Sequence, residues 1–147
     1  MKIKLSTYKM LLADMPKEPP EAGGILGGEN GVVFEFYTDK GHPTEKICGY
    51  APDVKSLNAI ILDWQNKEID FMGMFHTHFW GVESLSEGDT NYIIKIMQAM
   101  PKSIFRLYFP IIVMPEMKIV PYIAERNGDD IVISRQELQI VKEDNDE

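Results

Sequence analysis

The chain has 147 residues, 44% of them hydrophobic and 26% charged, which suits one compact domain with its own core and excludes a low-complexity or disordered polymer. A formal net charge of −8 and a pI near 4.9 argue against a nucleic-acid binder, because such a protein needs a basic surface against phosphates. Cys48 is the only cysteine, so no disulfide can form within the chain. No apolar run approaches the ~20 residues of a membrane-spanning helix, and the first residues lack the apolar core of a signal peptide. The expectation is a soluble, cytoplasmic protein.

From Ser6, apolar residues at Tyr8, Leu11, Leu12 and Met15 have helical spacing, with the serine placed to cap. Pro16, Pro19 and Pro20 end that helix and impose an extended entry to Glu21. The run Ala22-Gly23-Gly24-Ile25-Leu26-Gly27-Gly28 predicts a strand whose glycines admit a close neighbour. With turn residues Glu29-Asn30-Gly31 and a second strand over Val32–Tyr37, it makes a hairpin. Asp53 caps a second helix bearing Val54, Leu57, Ile60, Ile61 and Trp64 on one face. Phe71–His78 predicts a buried strand and Phe79–Gly88 a loop. A third helix starts at Asp89 or Thr90, carries Ile93, Ile96, Met97 and Met100 as a stripe, and stops at Pro101.

The remainder reads as β: Ile104–Met114, a turn at Pro115-Glu116, Lys118–Ala124, a turn at Asn127-Gly128, and Ile131–Ile133. Ser134–Val141 fits helix or strand equally. The fold class expected is mixed α/β or α+β, with a single central mixed sheet flanked by helices. Residues 1–141 form the expected domain and 142–147 an acidic tail.

The chemistry concentrates around His76-Thr77-His78. Alternate residues of a strand share a face, so both imidazoles point the same way, spaced to close on one ion. Asp89, at a helix start after a short loop, supplies a third ligand. Two histidines, a carboxylate and an open position describe a catalytic rather than a structural zinc site. Such a site needs a carboxylate to take a proton from the water, and Glu21 is the candidate over Glu18 and Glu29. Ser86 is a candidate donor to the tetrahedral oxygen, and Ser86–Asp89 equally fits a helix capping box. His42, in a turn-like Gly-His-Pro context, reads as a surface residue. Cys48 reads as a small buried apolar residue, and the nine methionines as core filling.

The pattern His76-Thr77-His78, seven residues, Ser86, two residues, Asp89 resembles the JAMM motif, H-x-H-x7-S-x-x-D, of the JAB/MPN metallopeptidases. Pro20-Glu21-Ala22-Gly23-Gly24-Ile25-Leu26-Gly27 resembles the glutamate-bearing segment of prokaryotic members, and the order of elements resembles the family layout over nearly the whole chain. The resemblance implies a cytidine-deaminase-like sheet and zinc-dependent cleavage of amide or isopeptide bonds. It implies His76, His78 and Asp89 as ligands, Glu21 as base and Ser86 as stabiliser of the tetrahedral oxygen. It implies as substrate a protein or peptide tail of ubiquitin-like or sulfur-carrier type, bound by strand addition. Two other readings stand beside it, a non-catalytic interaction module of the same fold and a zinc hydrolase of a small amide. The chain departs from the family pattern after the second histidine, where Phe79-Trp80 stands in place of a proline. These aromatics form either an apolar wall at the site or packing beneath the loop.

Overall fold

The computed structural model describes residues 1–39 and 53–142. His42, Cys48 and the tail from residue 143 onward lie outside the described residues. The described chain runs β1 (Lys2–Lys4), α1 (Leu5–Asp14), β2 (Gly23–Glu29), β3 (Val32–Asp39), α2 (Val54–Asn66), β4 (Asp70–Phe79) and α3 (Glu87–Ala99). It continues through β5 (Arg106–Tyr108), β6 (Ile111–Met114), β7 (Lys118–Val120), β8 (Tyr122–Asn127), β9 (Asp130–Arg135) and β10 (Gln139–Val141). The strands join in one mixed sheet in the order β10-β1-β3-β2-β4-β5-β8-β9, with β6 pairing β4 and β7. This is the mixed sheet flanked by helices that the pattern of elements predicts.

Alternation along the central strands divides the core into two layers. Leu26 of β2 and Phe75 of β4 pack with Leu11 and Leu12 of α1. Their neighbours Ile25 and Met74 pack with Leu57 and Trp64 of α2, and Met74 also meets the cluster around Ile93 and Met97 of α3. Helix α1 therefore covers one face, and α2 and α3 cover the other. His76 and His78 have the parity of Met74, which assigns them to the α3 face.

Local chemistry explains the hairpin. Asn30 and Gly31 both have positive φ, 56° and 78°, as a two-residue turn between twisted strands requires. In β2, a Cβ on Gly24 would collide with the Tyr37 carbonyl oxygen and, at 2.8 Å, with the Phe75 ring. The glycines there admit neighbouring backbone and core side chains.

Several boundaries differ from the sequence expectation. Helix α1 begins at Leu5, so Ser6 is inside it, and the capping position is Lys4 without a side-chain cap bond. The Asp53 cap is as expected, its carboxylate accepting from Ser56 N at 3.3 Å, but Val54 is exposed. Helix α3 starts at Glu87, two residues before Asp89, because Ser86 rather than Asp89 is its cap. The run Ile104–Met114 divides into β5 and β6 around Pro110, and Lys118–Ala124 into β7 and β8 around Pro121. A proline cannot donate to a ladder: at Pro110 the chain stays beside β4 but exchanges β8 for β7 as its other partner, and at Pro121 it leaves β6 for β5 and β9. The undecided segment Ser134–Val141 ends β9 and then supplies β10, which pairs in parallel with β1.

Candidate metal centre

Strand β4 is buried in mid-sheet, held by antiparallel β2 on one side and by β5 and β6 on the other. At its C-terminal end, His76 pairs with Ile111 and His78 with Val113, so both histidines stand on a fixed ladder. Their Nε2 atoms converge to 3.0 Å. Asp89 arrives from the first turn of α3, with Oδ2 3.0 Å from His78 Nε2 and Oδ1 3.3 Å from His76 Nε2. The three ligand atoms lie within 4.8 Å of one another, a group able to hold a metal ion.

The helix start fixes the carboxylate. Asp89 N–H donates to Ser86 Oγ at 3.0 Å and Ser86 N–H donates to Asp89 Oδ2 at 2.9 Å, a reciprocal capping box. The oxygen that takes the cap bond is the one facing His78, so the cap also orients the third ligand atom. The capping reading of Ser86 thus holds, while the hydroxyl hydrogen remains available to another acceptor.

The donor set fits a metal by its electrostatics. Burial pushes the Asp89 carboxyl up, but the hydrogen bonds and charges of the two histidines outweigh it and hold the group far below the usual carboxylate range. Burial pushes the His78 imidazole down, but Asp89 and then Glu21 outweigh it and raise it above its ordinary value. Asp89 is thus held as a carboxylate beside the two imidazoles, the charged form in which it can serve a metal. His78 is 6% exposed, and its buried Nδ1 makes no hydrogen bond of good geometry; the Val82 backbone is the neighbouring polar group. An N–H at Nδ1 turned toward that backbone leaves the Nε2 lone pair to a metal, the tautomer a ligating histidine needs.

Glu21 reaches the site by strand register. Gly23 pairs with His76, and the ladder continues one residue further through Thr77 N–H to Ala22 O at 2.8 Å and Ala22 N–H to Thr77 Oγ1 at 2.9 Å. Continuing this register places Glu21 opposite His78, on the same face of the sheet. Burial raises the Glu21 carboxyl above its ordinary value, the two histidines lower it in part, and Asp89 raises it again. Glu21 stands outside the ligand group and lines both cavities that reach it.

Those cavities flank Glu21 and Asp89. One, of about 320 Å3, opens among His78, Phe79, Trp80, Val82 and Ser86. The other, of about 80 Å3, is walled mainly by Met74, Tyr92, Ile93, Ile96 and Phe109 beside His76. The two aromatics after the histidines separate: Phe79 is core packing at 4% exposed, while Trp80 is 67% exposed and has φ 56°. A bulky residue in the left-handed region is held there by its surroundings, here by Trp80 N–H donating to Met114 O at 2.8 Å.

Three residues at the site escape a reading of motifs. Thr77 ties the Glu21 segment to the histidine strand, and Tyr92 lines the smaller cavity one helical turn after Asp89. Glu83 braces the loop before Ser86: its carboxylate accepts from Lys118 Nζ at 2.9 Å and Arg135 Nη2 at 3.0 Å. Its carbonyl accepts from Tyr122 Oη at 2.8 Å. The helical spacing of Tyr92 was the one usable signal among these; the partners of Thr77 and Glu83 are distant in sequence.

No family model and no curated protein matches the chain in sequence. Solved structures do match its fold. Protein DSY2949 from Desulfitobacterium hafniense has a TM-score of 0.67 at 21% identity, over 97% of this chain and 93% of that one. AF2198, a JAB1/MPN domain protein from Archaeoglobus fulgidus, has a TM-score of 0.56 at 22% identity, over 96% and 99%. A protein from Salinibacter ruber has a TM-score of 0.55 at 16% identity, over 99% and 94%. The chain has a JAB/MPN-like fold.

Proposed function

We propose that this JAB/MPN-like chain is a zinc-dependent hydrolase of amide or isopeptide bonds, with His76, His78 and Asp89 as the metal ligands. The observation that carries the reading is the convergence of those three ligand atoms beside Glu21, a half-buried carboxylate outside the ligand group. Held by His76, His78 and Asp89, a zinc ion would supply a Lewis acid that lowers the pKa of water to roughly 7. Glu21, with its proton affinity raised by burial, accepts a proton from the attacking water and passes it to the leaving amine. Ser86 Oγ keeps its proton for the oxygen on which negative charge develops. Thr77 holds the Glu21 segment in register throughout.

The substrate that fits best is the extended tail of a protein or peptide, with a ubiquitin-like or sulfur-carrier tail as the leading candidate. The wide cavity, with exposed Trp80 and Val82 at its edge, leaves room beside the ligand group for an extended chain. Among the described residues no helix is long and apolar enough to cross a membrane, so the reading needs no bilayer.

Elemental analysis of the untagged protein, beside the His76→Ala/His78→Ala double variant, tests the site. Near-stoichiometric zinc in the parent and none in the variant is expected. Glu21→Gln should retain the metal and lose about 10²–10⁴ in turnover on a proteome-derived peptide library. A parent that takes up no zinc overturns the hydrolase reading and leaves an interaction module. A Glu21→Gln variant as active as the parent removes Glu21 from the mechanism.

A further inference from the structure

The two cavities differ in kind. Both touch Glu21 and Asp89, so a chain crossing the ligands from one to the other presents a bond to Glu21 midway. The larger is open and edged by exposed Trp80 and Val82. The smaller is bounded by apolar side chains from strand β4, helix α3 and Phe109, which follows β5. Ile93 and Phe109 are each 4% exposed, so these walls belong to the core. Its polar atoms come from the site itself, Glu21, His76 and Asp89, and from Tyr92.

Size and lining select an occupant. A dry cavity of ~150 Å3 holds a benzene ring, and about 80 Å3 is roughly half of that. It therefore has room for about three or four carbons, the size of a valine or leucine side chain. A side chain reaching past the ligand end would be desolvated against Met74, Ile93 and Ile96, which favours an apolar one, and a glycine would leave these walls uncovered. An indole or a benzyl group is too large.

Resting on the hydrolase reading, we propose that this cavity is the specificity pocket of the site and takes one aliphatic side chain from a residue flanking the bond that is cut. In a tail that ends in glycine, the aliphatic residue then lies on the other side of the bond. Tyr92 and Ile96, on α3, set the width of the pocket, and because α3 also carries Asp89, its width and the ligand are held by one rigid element.

The test compares N-acetyl-leucine amide with N-acetylglycine amide as probes of the full chain, with and without zinc, reading methyl resonances by NMR. The leucine probe is expected to move the methyl signals of Met74, Ile93 and Ile96 and to bind about tenfold or more tightly than the glycine probe. Ile96→Phe, which fills the space, should erase that preference. Ile96→Ala, which enlarges it, should shift the preference toward N-acetyl-phenylalanine amide, and it serves if the filled variant does not fold. Equal affinities for the two probes, or shifts confined to the Val82 methyls, would overturn the pocket while zinc binding leaves the hydrolase reading standing. Leucine-probe binding in a chain that takes up no zinc keeps the pocket and removes the hydrolase reading instead.

Discussion

Thr77 illustrates how a residue between two proposed ligands can matter as much as they do. It is fully buried on the face opposite the histidines, yet its hydroxyl and its amide both bond to Ala22, next to Glu21. Thr77→Val keeps the shape and removes one partner from the Ala22 amide, at a cost of about 1–2 kcal/mol in stability. We expect this variant to hold zinc at parental stoichiometry while its turnover falls with that of Glu21 variants, because the proposed base and not the proposed ligand set is loosened. Melting curves, metal content and peptide cleavage on the same preparation check it; loss of metal would mean that the histidine strand itself had shifted. At this scale the grouping of His76, His78 and Asp89 was legible in the sequence, since their spacing is a local pattern. The position of Glu21 opposite His78 was not, because it depends on strand register between segments more than fifty residues apart. Nor could spacing decide between Phe79 and Trp80, whose separation into core and mouth follows from the backbone turn at Trp80.

Among the elements, the loop between β4 and α3 carries the greatest demand, since it must bring Asp89 back over the histidines without regular structure. Glu83 braces it against β7, β8 and β9 through Lys118, Tyr122 and Arg135. The hydrogen bonds from Lys118 and Arg135 hold the Glu83 carboxyl below its ordinary range. A depressed carboxyl contributes stability that is present above its unfolded value near 4.5 and is lost as pH falls through its lower folded value. Thermal melts between pH 7 and pH 3 should therefore fall less steeply for Glu83→Gln than for the parent, with a small difference that salt reduces. Parallel curves at low salt would show that the brace contributes nothing. Helices and the hairpin were predictable from period and turn residues, since their signals are local. The division of the late β region at Pro110 and Pro121 was not, because an apolar run looks the same whether one strand or two use it.

For the molecule as a whole, the candidate metal centre ties helix α3, otherwise held on the sheet mainly by packing, to strands already joined by their ladder. Its candidate ligands come from β4 in the sheet and α3 on top of it, and Glu21 comes from the segment leading into β2. A ligand that binds only this assembled arrangement stabilises the fold by RT ln(1 + [L]/Kd), about 2.7 kcal/mol at a hundred times Kd. For a chain of this length that raises Tm by about 5–10 °C. Zinc should give such a shift in the parent, a chelator should reverse it, and Asp89→Ala should show neither. An equal shift in Asp89→Ala would place the ion elsewhere.

The two tryptophans occupy opposite extremes of environment. Trp64 is 5% exposed beneath α2, and Trp80 is 67% exposed at the mouth of the wide cavity. The indole ring emits at longer wavelength in water than in an apolar core, so the chain's fluorescence is a sum of two bands with separate origins. The blue band belongs to the packing of α2 and the red band to the entrance of the site. Light from one molecule thus carries two independent signals, one for whether it is folded and one for whether its entrance is covered.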